Sequence, residues 1–283
     1  SCPAAMSVVS ELLAGGVAGA VGILATQPLD TIRIRLQSTA HGLGRAPYQG
    51  LVDCASSILR EEGIRGLYKG YASPTLTVGG MNAVLFLSFE SASKCLRDSS
   101  SGEGDSLSLP RTFLAGSIAG AASAFINAPT ELVKCVAQTN LKNQGTMQEE
   151  WQILRAMVKR HGWLGAHGPT RGLGITILRD TPSCGLYFTV YEAITRGLGK
   201  TDLISFIAGG CAGAAAWGCI YPLDLIKTRW STEAPGTYSS LLNCFRTTIK
   251  DDWRVLFNGF WATIVRAWPQ HAVVFCTYEL MKG

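Results

Sequence analysis

The sequence predicts an all-α membrane protein with three repeats of about 100 residues, each contributing two membrane-spanning helices. One hexapeptide pattern, proline-x-acid-x-x-base, occurs three times and starts at Pro28, Pro129 and Pro222. Only 16% of the chain is charged, 47% is hydrophobic, and 32 residues are glycine. Recurrence at nearly constant offsets indicates a repeated architecture, and low charge favours a membrane environment. We therefore expect repeats at 1–100, 101–197 and 198–283 that together form one membrane domain.

Uncharged runs mark the predicted spans. Those at 71–89, 112–130 and 203–223 each approach the ~20 residues that cross a ~30 Å hydrocarbon core. The run at 12–29 is slightly shorter, and two further spans near 172–191 and 255–278 appear when a few charges are allowed. Six spans in three pairs match three repeats of two helices.

Each repeat has the same predicted order of elements. In repeat one, a long span at 8–37 is followed by an amphipathic helix at 51–60 that lies on the membrane face, then by a span at 71–94. A polar linker at 99–108 leads to repeat two. Repeats two and three follow the same plan, with helices expected at 111–140, 147–160 and 172–196, and at 202–230, 238–249 and 259–282.

Small residues and prolines recur at fixed places in the odd-numbered spans. Glycines stand thirteen and nine residues before each hexapeptide proline, at Gly15/Gly19, Gly116/Gly120 and Gly209/Gly213. Such small-xxx-small pairs let helix backbones approach closely in lipid, and the prolines bend the helices. Bent helices around a common axis favour a bundle with a central cavity.

The basic residues are distributed unevenly between the two sides of the membrane. The three long loops hold 17 of the 25 lysines and arginines, whereas the opposite side of the membrane holds 6. The positive-inside rule therefore places these loops on one side and both termini on the other.

Charge and composition also exclude several classes of protein. No basic run is interleaved with aromatic residues, which argues against nucleic-acid binding. Nine cysteines without a CxxC pair suggest neither a metal site nor disulfides, and four isolated histidines indicate no enzyme.

The three hexapeptides in register with six spans, together with Tyr68-Lys69-Gly70, resemble the mitochondrial carrier family over essentially the whole chain. The resemblance implies a six-helix bundle with three-fold pseudo-symmetry and short helices on the matrix side. It also implies a functional monomer in the mitochondrial inner membrane, with both termini in the intermembrane space. Cardiolipin is the bound lipid that the resemblance implies, with no catalytic cofactor and no metal.

The hexapeptides carry paired charges that predict a gate. The alternative interpretation is that the acid and the base, three residues apart, form a pair within one helix and only stabilise that helix by ~0.2 to 0.5 kcal/mol. Charges at membrane depth need partners, so we expect each acid to pair with a base of a neighbouring repeat. The resemblance implies that this ring closes the cavity on the matrix side. Its members are Asp30, Arg33, Glu131, Lys134, Asp224 and Lys227, with Gln37 and Gln138 as braces and Ser231 at the third brace position.

A second gate is predicted at the cytosolic ends of the even-numbered spans. The family pattern there is aromatic-acid-x-x-base, and only Glu279 with Lys282 fits it. Glu90 and Glu192 have their bases one residue late. We expect this gate to hold less firmly than the first.

Charges that belong to neither predicted gate indicate a substrate site. Thr77, Arg179 and Arg266 stand seven residues after the glycines that open the even-numbered spans, and Asp180 follows Arg179. Charged residues inside a membrane indicate function by default, although a purely structural pair is the alternative. Arginine binds a carboxylate bidentately, and Asp180 can hold a cation of the same ligand. The expected substrate is therefore a zwitterion with a carboxylate.

An apolar stripe refines that expectation. Pro74, Val78 and Met81 lie on one helical face, either as ordinary packing or as an apolar slot that faces the charges. The pair Arg179-Asp180 resembles the carnitine and amino-acid branch of the family. Within that branch the resemblance implies exchange of carnitine or acylcarnitine by alternating access, because ornithine carriers have an acid near Met81 that binds the distal amine and this sequence has none. A basic amino-acid carrier is the alternative, and a degenerate carrier that acts as a scaffold or proton leak is the third interpretation.

Overall fold

The computed structural model describes residues 2–38, 48, 50–97, 107–139, 146–163, 165, 168–199, 201–232, 237–250, 253–257, 260, 261 and 263. Within these ranges the chain forms eight α-helices and a short 3-10 helix at Trp253–Phe257. The α-helices are α1 (Cys2–Ser38), α2 (Leu51–Leu67), α3 (Ala72–Cys95), α4 (Leu109–Thr139), α5 (Met147–His161), α6 (Leu173–Leu198), α7 (Asp202–Thr232) and α8 (Leu241–Ile249).

The helices follow the predicted order of long, short and long in repeats one and two. Helix α8 begins at Leu241 rather than at the predicted position 238, because the Ser240 side chain accepts from the backbone N–H of Asn243 at 3.1 Å and caps the helix there. The predicted last span, 259–282, lies outside the described residues apart from 260, 261 and 263.

In the part of the chain that the structure describes, three helices are long and apolar enough to cross a membrane by length and composition. They are α3, α4 and residues Leu203–Thr232 of α7. Apart from Tyr71, they contain the three longest uncharged runs of the sequence, which are also predicted to be spans.

Close contact between α4 and α6 fixes the depth of the charged pair on α6. A Cβ atom on Gly116 would lie only 2.8 Å from the carbonyl oxygen of Cys184, and one on Gly120 would collide with the carbonyl oxygen of Asp180. The predicted glycine pair of repeat two therefore lets the α4 backbone touch the α6 backbone. Asp180 stands at this crossing, so its height in the bundle is set by backbone packing.

The hexapeptide prolines lie inside continuous helices. Helices α1, α4 and α7 continue through Pro28, Pro129 and Pro222, although a proline removes one backbone hydrogen bond. Each pair of these three helices is in contact. The acids that follow the prolines therefore lie where three helices converge, and we call this the ring end of the bundle.

The turn before α3 packs against α4. Gly70 has a φ of 75°, and a Cβ atom there would lie 2.8 Å from Cγ of Gln138 and 2.9 Å from the carbonyl oxygen of Lys134. Only glycine meets both the left-handed backbone conformation and this close approach. The Gln27 side chain donates to the Lys69 carbonyl at 2.7 Å and fixes the same turn to α1.

A carboxylate of repeat two caps a helix of repeat one. Helix α5 starts with a capping box between Thr146 and Glu149. One residue further, the buried Glu150 carboxylate accepts from the backbone N–H groups of Ala72 at 3.0 Å and Ser73 at 2.7 Å. An acid at a helix N-terminus satisfies free N–H groups and the helix dipole. Glu150 therefore links α5 to the start of α3.

Candidate gate and substrate site

Among the described residues, the acids and bases of the hexapeptides form three ion pairs that join the three repeats at the ring end. Lys134 of repeat two donates to Asp30 of repeat one, and Lys227 of repeat three donates to Glu131 of repeat two. The third pair, Arg33 with Asp224, connects repeat one to repeat three. Each acid thus pairs with a base from another repeat, and we call these six residues the ring. Its role as a gate stays a prediction.

The members of the ring differ in exposure. The side chains of Asp30 and Asp224 are 8% and 3% exposed, whereas that of Glu131 is 29% exposed. Removing one partner of a buried ion pair leaves an uncompensated charge, which costs much more than the pair contributes. The loss of one ring partner is therefore costly where the pair is buried, and Glu131 is the most accessible acid of the ring.

The two predicted braces behave differently. Gln37 donates to Asp224 and to the Tyr221 hydroxyl, each at 3.1 Å, and accepts from Thr228 at 2.9 Å. Gln138 instead donates to the Thr31 hydroxyl at 3.1 Å. Gln37 therefore contacts the ring directly, while Gln138 binds beside it.

Two arginines that are not among the predicted site residues also connect the repeats. Arg35 donates through Nε to the carbonyl oxygen of Gln138 at 3.1 Å, and Arg229 donates through Nε to that of Gln37 at 3.2 Å. Each stands seven residues after its hexapeptide proline, so recurrence at this spacing could have revealed them. Repeat two has Val136 at that position, and a valine side chain cannot donate a hydrogen bond.

A second buried charge cluster supports Arg35 from outside the spans. Glu62 on α2 accepts from both Arg35 and Lys69, and one of the Arg35 bonds measures 2.9 Å. Burial alone would raise the pKa of Glu62, but the hydrogen bonds and charges of Arg35 and Lys69 outweigh it and hold that pKa below its ordinary value. The cluster ties α1, α2 and the turn before α3 together.

Arg179, predicted as a substrate residue outside both gates, also contacts the ring. Its guanidinium donates to Asp180 at 2.7 Å, to Asp224 at 3.0 Å and to both oxygens of Glu131 at 2.9 and 3.0 Å. The guanidinium has enough donors for three carboxylates, and its long side chain reaches acids on two neighbouring helices. Asp180 also accepts from Asn127 at 3.0 Å.

An aromatic ring lies against two of these cations. The indole of Trp217 on α7 lies 4.7 Å from the Arg33 guanidinium and 6.0 Å from that of Arg179. An aromatic face attracts a cation electrostatically, and more strongly where water is excluded. Trp217 is not among the predicted site residues, because an aromatic residue in an apolar span is most simply interpreted as packing.

The predicted apolar stripe faces α1 at one of its positions. Val78 is buried, and a Cβ atom on Gly19 of α1 would lie 3.0 Å from its Cγ2. Thr77 donates to the Ser73 carbonyl at 2.9 Å within its own helix. Pro74 and Met81 are half-buried. Arg266, the second predicted arginine, lies outside the described residues.

The described acids of the predicted cytosolic gate pair within their own helices. Glu90 binds Lys94 at 2.7 Å with both side chains more than 60% exposed, and Glu192 binds Arg196 at 3.0 Å. Both pairs have the i,i+4 spacing that the late bases allow. Glu279 and Lys282 lie outside the described residues. At the same end of α3 and α6, the rings of Phe89 and Phe188 stack at 4.0 Å.

These features together define a class of protein. Long apolar helices surround a buried ring of charges that joins three repeats, as expected of a membrane transport protein with an internal polar site. A family model described as "Mitochondrial carrier protein" matches the chain three times, at residues 4–100, 105–202 and 200–283. The chain belongs to the mitochondrial carrier family.

Individual relatives carry two kinds of name at similar identity. The human mitochondrial basic amino acids transporter is 34% identical over 282 residues, which cover 96% of this chain and 89% of that protein. The mitochondrial carnitine/acylcarnitine carrier protein of Macaca fascicularis is 34% identical over 290 residues, covering 98% and 95%. Its human counterpart is 33% identical over the same length, with the same coverage. The identities therefore do not distinguish a basic amino acids transporter from a carnitine/acylcarnitine carrier.

Proposed function

We propose that this protein is a solute carrier, and not an enzyme, that exchanges a carboxylate-bearing zwitterion by alternating access, with carnitine and acylcarnitines as its first substrates. The observation that carries the proposal is the Arg179–Asp180 pair, a guanidinium and a carboxylate 2.7 Å apart and buried directly beside the ring. A zwitterion can satisfy both groups at once, which compensates for their burial.

The choice of carnitine rests on α3. Residues 72–89 contain no acid, so a second amine on the substrate would find no carboxylate there. An acyl chain against Met81 would instead gain ~0.8 kcal/mol per buried methylene. Because Val78 packs on Gly19, Pro74 and Met81 remain as the proposed contacts of the substrate's acyl chain.

A second candidate is exchange of basic amino acids. It is favoured by the human relative of that name, whose identity to this chain equals that of the Macaca carnitine/acylcarnitine carrier. Asn82 on α3 offers a polar group near α1, although a neutral amide compensates an ammonium less well than a carboxylate does.

We further propose a mitochondrial inner-membrane location with the ring end towards the matrix and both termini in the intermembrane space. The excess of basic residues in the loops on the ring side supports this orientation. A functional monomer and bound cardiolipin remain predictions.

The test is counter-exchange in proteoliposomes that contain the purified chain. A working carrier gives saturable uptake that requires internal substrate, whereas a scaffold gives none and a proton leak gives only a change of pH. Asp180→Asn should abolish exchange, because the substrate cation loses its partner, and Met81→Glu should admit lysine and weaken acylcarnitine binding. Full exchange by Asp180→Asn would refute the proposed site.

A further inference from the structure

The three contacts between α1, α4 and α7 at the ring end are unequal. We call each contact a seam, and each has one ion pair of the ring. The α1–α4 seam has in addition the bond from Arg35 to the Gln138 carbonyl and that from Gln138 to Thr31, both 3.1 Å. The α7–α1 seam has the bond from Arg229 to the Gln37 carbonyl at 3.2 Å, and Gln37 itself binds Asp224.

The α4–α7 seam cannot make the corresponding bonds. Val136 stands where the other repeats have the tying arginine, and Ser231 stands where they have glutamine. The Ser231 hydroxyl lies beside the start of α6, 3.7 Å from the Cβ position of Gly172. This seam also holds Glu131, the most exposed acid of the ring.

Arg179 bridges this seam from α6. Its guanidinium binds both carboxylate oxygens of Glu131 on α4 and one of Asp224 on α7, all at 2.9 to 3.0 Å. The side chain is only 6% exposed. Two-point binding to one acid and a third bond to the next helix give a fixed geometry that a single lysine amine could not reproduce.

We infer that Arg179 is the positioning residue that holds the α4–α7 seam closed. It takes the place of the tying arginine, which repeat two lacks, and of the glutamine brace, which repeat three lacks. A substrate carboxylate that binds Arg179 then releases this seam first. The second half of this inference rests on the proposed function. Arg179 then binds either the two ring acids or the substrate. The site and the ring are thereby coupled through one guanidinium, and opening begins at one seam instead of at all three together.

A double-mutant cycle tests the holding role without substrate. Val136→Arg with Ser231→Gln supplies the missing groups. In the purified full chain, Arg179→Gln should lower the melting temperature, and the same change in the Val136→Arg/Ser231→Gln background should cause less than half of that loss. Arg35→Val is the matched control: it removes the tie of another seam, so it should leave the loss caused by Arg179→Gln unchanged. An equal loss in all three backgrounds would overturn the inference.

Distances between spin labels give a readout that general destabilisation would not produce. Labels at 139 and 232 report the α4–α7 seam, and labels at 139 and 38 report the α1–α4 seam, in a background whose other cysteines are replaced. Arg179→Gln should lengthen or broaden the first distance and leave the second unchanged. If this variant does not fold, Arg179→Lys should show the same selectivity to a smaller extent. Equal changes at both seams, or none, would contradict the inference.

A substrate arm separates this inference from the proposed function. Acetylcarnitine or lysine added to the unmodified chain should reproduce the selective change at the α4–α7 seam. If neither ligand does so while Arg179→Gln still opens that seam alone, the holding role stands and the proposed substrate class fails. If a ligand opens the α1–α4 seam first, the substrate class stands and the order of opening is wrong.

Discussion

At the scale of single residues, the ring concentrates charge where water is scarce. Glu131 forms ion pairs with both Lys227 on α7 and Arg179 on α6, so one carboxylate binds cations from two helices. Breaking a buried pair by removing one partner costs on the order of 3–5 kcal/mol. Because the side chain of Glu131 is 29% exposed, its loss should fall towards the lower end of that range.

Glu131→Gln should therefore reduce exchange strongly, since Lys227 and Arg179 lose a counter-charge and the ring no longer closes properly. Initial rates of counter-exchange in proteoliposomes measure the effect. The control is Glu61→Gln, which removes an exposed acid on α2 and should leave the rate near that of the unmodified protein. Full exchange by a folded Glu131→Gln variant would show that the ring is not a gate.

The thiol of Cys135 should report the state of the ring. It follows Lys134 on α4 and is buried in this structure. Opening of the ring would expose it, so added substrate should change its rate of alkylation by a small maleimide, measured by mass spectrometry. Cys54 on α2 is a control for general accessibility: it is fully buried with its thiol against the Ile32 carbonyl of α1, and burial raises the pKa of that thiol to about 12, so it should stay unreactive throughout. Identical Cys135 rates with and without substrate would argue against this coupling.

At the scale of elements, the short helices between spans act as connectors of repeats. Helix α5 reaches from repeat two to the start of α3 through Glu150, and α2 carries Glu62, which binds Arg35 and Lys69. Glu150 accepts from two backbone N–H groups at the start of α3, and Glu62 binds two buried cations. Each short helix thus stabilises the position of a long one.

Glu150→Gln should lower the stability of the purified protein by about 1–3 kcal/mol, because hydrogen bonds from two backbone N–H groups to a charged acceptor are weakened. The neighbouring Glu149→Gln is a matched control that alters only the capping box of α5 and should cost less, since a glutamine also serves at that position. Thermal unfolding in detergent compares the two variants. A larger loss for Glu149→Gln would show that the contact with α3 is unimportant.

Glu62 should give the protein a defined sensitivity to acid. Its pKa is lowered in the folded chain, so its stabilising effect is present above the ordinary glutamate pKa of about 4.3 and is lost as the pH falls through the lowered value. The melting temperature should therefore fall on acidification below about pH 4, and Glu62→Gln should be less stable at neutral pH but show a shallower fall. Parallel pH profiles of the two proteins would contradict this assignment.

At the scale of the whole molecule, the fold could be predicted from the three repeats in the sequence. The unequal contacts between the repeats could not. The ring pairs follow from three hexapeptides at one depth, and Gly116 with Gly120 correctly marked a close helix contact. The joining of Arg179 to Glu131 and Asp224 could not be predicted, because residue spacing along α6 does not give distances to α4 and α7. Sequence spacing also could not show that Gln138 binds Thr31 while Gln37 binds the ring.

The measurement that tests the central claim most directly is substrate competition in counter-exchange. Proteoliposomes loaded with carnitine should take up labelled acetylcarnitine with saturation, and longer acylcarnitines should compete better over the first several carbons, because each added methylene buries apolar surface. Lysine and arginine should compete poorly, and Asp180→Asn should show no uptake. Faster exchange of lysine or arginine than of any acylcarnitine would contradict the assignment and favour the basic amino-acid carrier, and uptake that does not depend on internal substrate would contradict the exchange mechanism.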